Sequence, residues 1–377
     1  MTVPEELLWW LTAASWVYWL FALWSVRSFF RTSRGCHPDF TPSISILKPV
    51  RGLDAGAYDN FASFCEQDYD DFEIVFGVAD PRDPAVPVIE RLQANHPEVK
   101  IRLVFGEALG SNRKASLLHH IASKAQNPML VISDSDMRVT PDYLRRVVAP
   151  LADEDVGLVT CTYRGEEALS LPAKLEALHM GVTFLPSALV GGRFLGLPFA
   201  LGASVALRKA DLERMGGFAA IADYLADDYQ LGARIYGLGL KVRLSDYVIV
   251  NVIGRTTLQD EWQREIRWAR CSRVSRPLEY PGILLMFTTP LASALAVLTG
   301  FAPSAQQVLG ASMVLRWFVA YWISGITNDK TSRRCLAWLP VRDFLSFLVW
   351  VAGALGKRVT WRGEEFVLGH DGRMRPA

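Results

Sequence analysis

Cysteine is scarce and scattered in this chain. The five in 377 residues (Cys36, Cys65, Cys161, Cys271, Cys335) form no CxxC pair, and an odd number spread so widely excludes a disulfide framework. Each is expected to be a small buried apolar residue in a protein whose main domain faces a reducing compartment. An excess of one charge is lacking too. The 40 basic and 39 acidic residues leave a formal net charge of +1, without the basic surplus that a nucleic-acid partner demands. None of the six histidines (His37, His96, His119, His120, His179, His370) has zinc-ligand spacing, so no metal role falls to them.

Apolar sequence is plentiful: half of the residues are hydrophobic, more than a wholly soluble enzyme needs. Leu7 to Val26 carry no charge and are long enough for a helix to cross about 30 Å of hydrocarbon. Glu5 and Glu6 precede this run and Arg27, Arg31 and Arg34 follow it, which places the downstream side in the cytoplasm. Ile283 to Ala302 and Val308 to Ile326, joined through Pro303-Ser304 and interrupted by Arg316, read as a helical hairpin that returns Lys330, Arg333 and Arg334 to the same side. The last apolar stretch, Leu336 to Leu355, carries Arg342 and Asp343. Charge at mid-membrane costs at least ~2.5–3.5 kcal/mol per group. The expectation is therefore a re-entrant or interfacial helix that keeps Lys357, Arg358 and Arg362 on the cytosolic face.

The resulting layout is an N-terminal transmembrane helix over residues 1–30, a cytosolic domain over 40–280, membrane segments over 281–356 and a cytosolic tail over 357–377. In the cytosolic part, short β-branched runs (Ser43 to Leu47, Glu73 to Val78, Lys100 to Val104, Leu130 to Ser133) alternate with helix-like stretches (Tyr58 to Gln67, Ala85 to Asn95, Lys114 to Ala125, Pro141 to Pro150). That alternation predicts a doubly wound α/β domain with a parallel sheet. Thr140 is the expected N-cap of the last helix.

Sheets of this kind bind ligands beyond the carboxyl ends of their strands. Asp80 closes one apolar run, and Asp134-Ser135-Asp136 closes another. A strand-end Asp ordinarily forms a turn, but two carboxylates two residues apart repel, and a divalent cation with a diphosphate would offset that. Asp227-Asp228 opens a further helix; capping accounts for one acid, and two adjacent ones invite a catalytic reading. Arg264 and Arg267, followed by Trp268, lie one turn apart before the membrane segments, where the arginines could clamp a diphosphate.

In this order, Asp80, Asp134-x-Asp136, Asp228 and Arg264-x-x-Arg267-Trp268 resemble the motif series of A-fold inverting glycosyltransferases. Ile46 to Gly52, Asn60 to Tyr69, Gly110-x-Asn112-x-Lys114, Ala226 to Tyr229 and Trp361-Arg362-Gly363 look like ceramide glucosyltransferases and the related bacterial hopanoid-pathway glycosyltransferases. The resemblance implies an A-type nucleotide-diphospho-sugar transferase fold and a UDP-sugar donor. It further implies that Asp80 meets the uridine, that Asp136 holds Mg²⁺ or Mn²⁺ with the diphosphate, and that Asp134 supports the donor. Asp228 would be the base, with Asp227 standing where relatives often carry Glu. Arg264, Arg267 and Trp268 would serve the diphosphate and acceptor mouth, and Lys48 and Lys114 would contact the nucleotide.

The implied reaction is single-displacement transfer of a hexose to the hydroxyl of a membrane lipid, glucose to ceramide first and N-acetylglucosamine to a hopanoid polyol second. A processive polysaccharide synthase shares these motifs but needs more spanning helices. A non-catalytic scaffold has no use for them.

Overall fold

The computed structural model describes residues 2–32, 40–196, 198–361 and 363–377. Arg34, Cys36, His37 and Arg362 lie outside the described residues. In chain order the elements are α1 (Val3–Thr32), β1 (Ile44–Pro49), α2 (Ala57–Cys65), β2 (Phe72–Val78), α3 (Ala85–Asn95), β3 (Lys100–Phe105), α4 (Arg113–Lys124), β4 (Met129–Ser133), β5 (Met137–Arg138) and α5 (Tyr143–Val148). There follow β6 (Val156–Ala168), α6 (Leu171–His179), α7 (Leu185–Leu195), β7 (Ser204–Arg208), α8 (Lys209–Arg214), α9 (Asp227–Gly237) and β8 (Lys241–Gly254). The chain ends in α10 (Leu258–Ser275), α11 (Thr288–Leu298), α12 (Pro303–Ile326), α13 (Lys330–Arg334), α14 (Leu339–Ala354), β9 (Arg358–Trp361), β10 (Glu364–Leu368) and β11 (Met374–Pro376). These fall into two compact units: Ser33–Glu167, Phe194–Gly254 and Leu368–Ala377 form one, and Met1–Thr32, Ala168–Arg193 and Arg255–Val367 the other.

The first unit is built on an eight-stranded sheet of order β3-β2-β1-β4-β7-β6-β8-β5. β1 pairs parallel with β2 and β4, and β2 with β3. Period-2 geometry explains why these strands read as continuous apolar runs. Ile44, Ile46, Ile74, Phe76 and Val131 pack on one face with α2, α3 and α5, while Leu47, Val75, Leu130 and Ile132 pack on the other with α4 and α9. Helix-covered faces of this kind are the doubly wound arrangement expected from the sequence. The other half of the sheet departs from it: β7 lies antiparallel to β4 and β6, and β5 antiparallel to β8. β7 thus runs opposite to β4, and β6, antiparallel to β7, keeps the direction of β4.

α5 also starts later than expected. Thr140 donates its hydroxyl to Asp142 at 2.5 Å and its carbonyl accepts from the Tyr143 N–H at 3.0 Å. A turn therefore occupies the predicted first helical positions.

The second unit is helical. α1, α12 and the segment Leu336–Ala354 are long and apolar enough to cross a membrane, and Tyr280–Met286 meets α11 at a 76° bend. The first leg of the expected hairpin is thus a broken segment. Several polar groups inside the bundle have direct partners. Trp16 donates to Ser312 at 2.8 Å, and Trp19 to the Met286 carbonyl at 3.1 Å. Buried Arg316 donates to Thr183 at 2.8 Å, pairs with Asp343 at 3.3 Å and lies 3.7 Å over the Trp19 ring.

α14 lies alongside α10. Arg342 reaches Glu261 at 2.9 Å and Glu265 at 2.6 Å, Gly353 abuts Ala269, and Arg270 and Arg273 donate to the carbonyls of Leu355 (3.2 Å) and Gly356 (2.8 Å). Both charges that argued against a simple span, Arg342 and Asp343, are neutralised by direct partners.

Candidate active site

Three strand ends of the first unit carry the acidic residues. After β1, the Gly52 N–H donates to both oxygens of Asp83 at 3.1 and 2.9 Å, which folds the loop so that Asp54 accepts from the Ser135 hydroxyl at 2.5 Å. After β2, Asp80 accepts from the Arg82 N–H at 2.9 Å and from its guanidinium at 3.3 Å. These contacts hold its carboxyl below the usual range, and the side chain is 53% exposed, open to a ligand. After β4 come Asp134 and Asp136. The Asn251 amide donates to Asp136 at 2.8 Å. Burial, followed by the charges of Asp134 and Asp54, pushes the Asp136 carboxyl up to about 7.

Two lysines answer this negative charge. Lys48 is fully buried on β1; its ammonium donates to the Asp134 carbonyl at 3.0 Å and sits 3.5 Å over the Phe64 ring. Burial lowers its pKa to about 7, against the pull of Asp134, Asp136 and Asp54. Lys114, in the first turn of α4, is placed by the Asn112 N-cap, whose side chain accepts from the Ala115 N–H at 2.9 Å. Its ammonium lies 2.5 Å from Asp134 and 3.9 Å from Asp227. Burial works to lower the pKa of Lys114, but Asp134 and Asp227 outweigh it and hold the group charged.

Asp227 and Asp228 begin α9. The Asn112 amide donates to Asp227 at 3.3 Å, and Asp228 accepts from the Tyr229 N–H at 2.7 Å. Burial, then the adjacent Asp227 charge, raises the Asp228 carboxyl to about 6. Gly202 lies against it: a Cβ there would stand 3.0 Å from the Asp228 carboxylate and press on it. Lys48, Lys114, Asp134, Asp136, Asp227 and Asp228 are thus one coupled cluster, with Asp80 at an exposed neighbouring strand end.

Arg264, Arg267 and Trp268 belong to the helical unit. Arg264 is engaged with buried Glu176 and approaches Thr256 at 3.4 Å. Arg267 stacks over Trp361 with 5.3 Å to the ring centroid. The two guanidiniums therefore go to different partners rather than forming a preset fork, and Trp268 is half-buried on the same helix.

Asp54, Asn251 and Gly202 went unnoticed in the sequence. The strand-end rule that found Asp80 extends to Asp54. Asn251 sits inside a long strand with no local signal.

Among the described residues, no group of three or more His, Cys, Asp or Glu side chains could hold a metal ion unaided. Asp136 nonetheless suits a hard divalent cation: its carboxylate is half-buried and crowded by Asp134 and Asp54, and desolvation together with those charges makes it hard to ionise.

The sequence model of glycosyl transferase family 21 matches residues 7–374. Two relatives from Caenorhabditis elegans are similar over most of their length. Ceramide glucosyltransferase 1 is 27% identical across 92% of this chain and 76% of its own, and ceramide glucosyltransferase 3 is 26% identical across 89% and 74%. The mannosyltransferase PcManGT of Pyrobaculum calidifontis, solved with GDP-mannose and Mn²⁺, superposes with a TM-score of 0.55 at 20% identity, covering 93% of this chain and 98% of that one. It shares the A-type fold. With its sheet, its strand-end acids and a family match spanning nearly its whole length, the chain is a glycosyltransferase and belongs to glycosyl transferase family 21.

Proposed function

We propose that this chain transfers glucose from UDP-glucose to the primary hydroxyl of ceramide, with inversion, on the cytosolic face of a membrane. The observation that carries the reading is Lys114, which touches the donor-side acid Asp134 and approaches the acceptor-side acid Asp227, so one cation joins the two halves of a displacement site. The ceramide glucosyltransferases to which the chain is similar supply the choice of sugar and lipid.

A lipid hydroxyl is a weak nucleophile. Asp228, half-buried and less acidic than usual, takes its proton as the oxygen attacks the anomeric carbon, since a base titrating nearer neutrality pulls harder in the transition state. Asp227 stays engaged with Asn112 and Lys114 and fixes the start of α9. Asp80 meets the uridine, and Lys48 and Lys114 favour the departing diphosphate, where charge develops. A Mg²⁺ or Mn²⁺ ion held by Asp136, when bound, would supply Lewis-acid stabilisation of that leaving group.

The membrane reading rests on the helical unit alone. α10 is rich in charge from Asp260 to Arg273 and does not belong in hydrocarbon; because α14 follows it end to end, α14 lies at the membrane boundary as well. α1 crosses, the bent α11 leg and α12 go in and return, and residues 330–334 face the cytosol.

The test is transfer rate measured beside UDP binding. Asp228→Asn should lose ~10²–10⁴-fold in turnover with little change in UDP affinity, Asp227→Glu should be tolerated, and Asp228→Glu should be severe. If Asp228→Asn keeps its turnover while Asp227→Asn loses it, the base is the other acid.

A further inference from the structure

The C-terminal residues are bound to the loop that delivers the acidic pair of α9. Gly369 to Arg373 make a tight turn: the Gly369 N–H donates to the Arg373 carbonyl at 2.8 Å, the Gly372 N–H to the Gly369 carbonyl at 3.1 Å, and Gly372 takes a φ of +84°. From this turn the chain runs against residues 223–225. The Leu225 N–H donates to the Gly372 carbonyl at 3.2 Å, the Met374 N–H to the Asp223 carbonyl at 2.8 Å, and Tyr224 and Arg373 form an antiparallel bridge. Met374 is buried, and Arg373 lies over the Tyr224 ring at 5.3 Å.

The same loop is bound from its other side by the residues that open α4. The Asn112 N–H donates to the Ala222 carbonyl at 2.7 Å, its amide donates to the Tyr224 carbonyl at 2.8 Å, and the Ser111 N–H donates to Asp223 at 3.1 Å. The Ser111 hydroxyl donates to the Met374 carbonyl at 3.3 Å, which closes the ring. Residues 110–112 lead to Lys114, and residues 222–226 lead to Asp227 and Asp228. The tail is the third member of the assembly and touches both.

We infer that the C-terminal strap, Gly372 to Met374, is a positioning element that sets the α9 acidic pair against Lys114. The geometry gives it that consequence: the Leu225 N–H and the Asp223 carbonyl, two and four residues before Asp227, are satisfied by the strap rather than by secondary structure of their own, and main-chain groups held away from water need such partners. Without them, residues 223–226 lose their register, and the carboxylate that follows shifts. A displacement of ~1 Å in a reacting group can cost about 10²-fold in rate. Donor contacts at Asp80, Asp136 and Lys48 arise from other strand ends and stay in place. The inference rests on Asp228 acting as the base.

Met374→Pro in the full-length chain removes the N–H that binds Asp223, and Met374→Leu keeps both that bond and the apolar volume. Turnover, UDP-glucose KM and UDP affinity are measured for both, for a chain ending at Gly369, and for Asp228→Asn. The expected result is a fall in kcat of about 10-fold or more for Met374→Pro and for the truncation, near-normal KM and UDP affinity, and recovery of wild-type kcat in Met374→Leu. Retained kcat in both strap variants, beside an inactive Asp228→Asn, overturns the strap alone. Equal loss of kcat, UDP affinity and melting temperature in them overturns it too, since that is plain unfolding. An active Asp228→Asn overturns the underlying reading instead.

Discussion

At the scale of single residues, the site is a contest between burial and like charge. Asp228 shows it most clearly. Its carboxyl is raised from the ordinary range to about 6 by burial and by Asp227, so it holds a proton at pH values where an exposed aspartate has lost one. A base must be ionised to act. Turnover should therefore be level above about pH 7 and fall close to tenfold per unit below about 6, an ascending limb that a pH–rate profile of kcat at saturating substrates would reveal; a limb near pH 4 would remove Asp228 from that role. Much of this cluster was legible beforehand, because Asp80, Asp134 and Asp136 follow β-branched runs and strand ends face ligands. Asn251 and Gly202 were not. Their part depends on which strand segment passes beside Asp136 and Asp228, and pairing across a sheet leaves no mark in local sequence.

Among the elements, α10 and α14 show how sequence reasoning can weigh a cost correctly and still miss its remedy. Arg342 and Asp343 looked prohibitive in an apolar helix. Arg342 proves to be buried between Glu261 and Glu265, and Asp343 pairs with Arg316 of α12 and accepts from Thr289 at 2.8 Å. Charges on helices far apart in sequence cancel, which no hydropathy window registers. Removing one partner of a buried pair leaves an uncompensated charge and costs about 3–5 kcal/mol. Arg342→Met should accordingly lower the melting temperature of the detergent-solubilised protein markedly, and Arg342→Lys less so, because it keeps the compensating charge although an ammonium cannot fork to two carboxylates. Equal stability of Arg342→Met and wild type would show that the network contributes little. The mixed direction of the sheet has a similar origin: strand content follows from composition, whereas the reversal of β7 between β4 and β6 is a pairing between distant segments that local sequence does not register.

Over the whole molecule, the tail constrains the path through the membrane. Residues 368–377 belong to the same compact unit as the acidic cluster, so the chain between Gly254 and Leu368 must cross the bilayer an even number of times. The α11 leg and α12 satisfy that if α14 stays at the boundary. In a cysteine-free background, Ala108→Cys and Thr331→Cys should both resist an impermeant thiol reagent in intact cells and react after permeabilisation; labelling of Thr331→Cys from outside would mean that α14 crosses instead. The proposed reaction passes the donor's sugar to a lipid by a single displacement. The most direct measurement is the product itself: purified full-length protein incubated with UDP-glucose, which is an α-glycoside, and ceramide, with the lipid fraction examined by mass spectrometry and NMR. The account predicts glucosylceramide with a β linkage. An α linkage, or glycosylation only of a hopanoid polyol from UDP-N-acetylglucosamine, would contradict it.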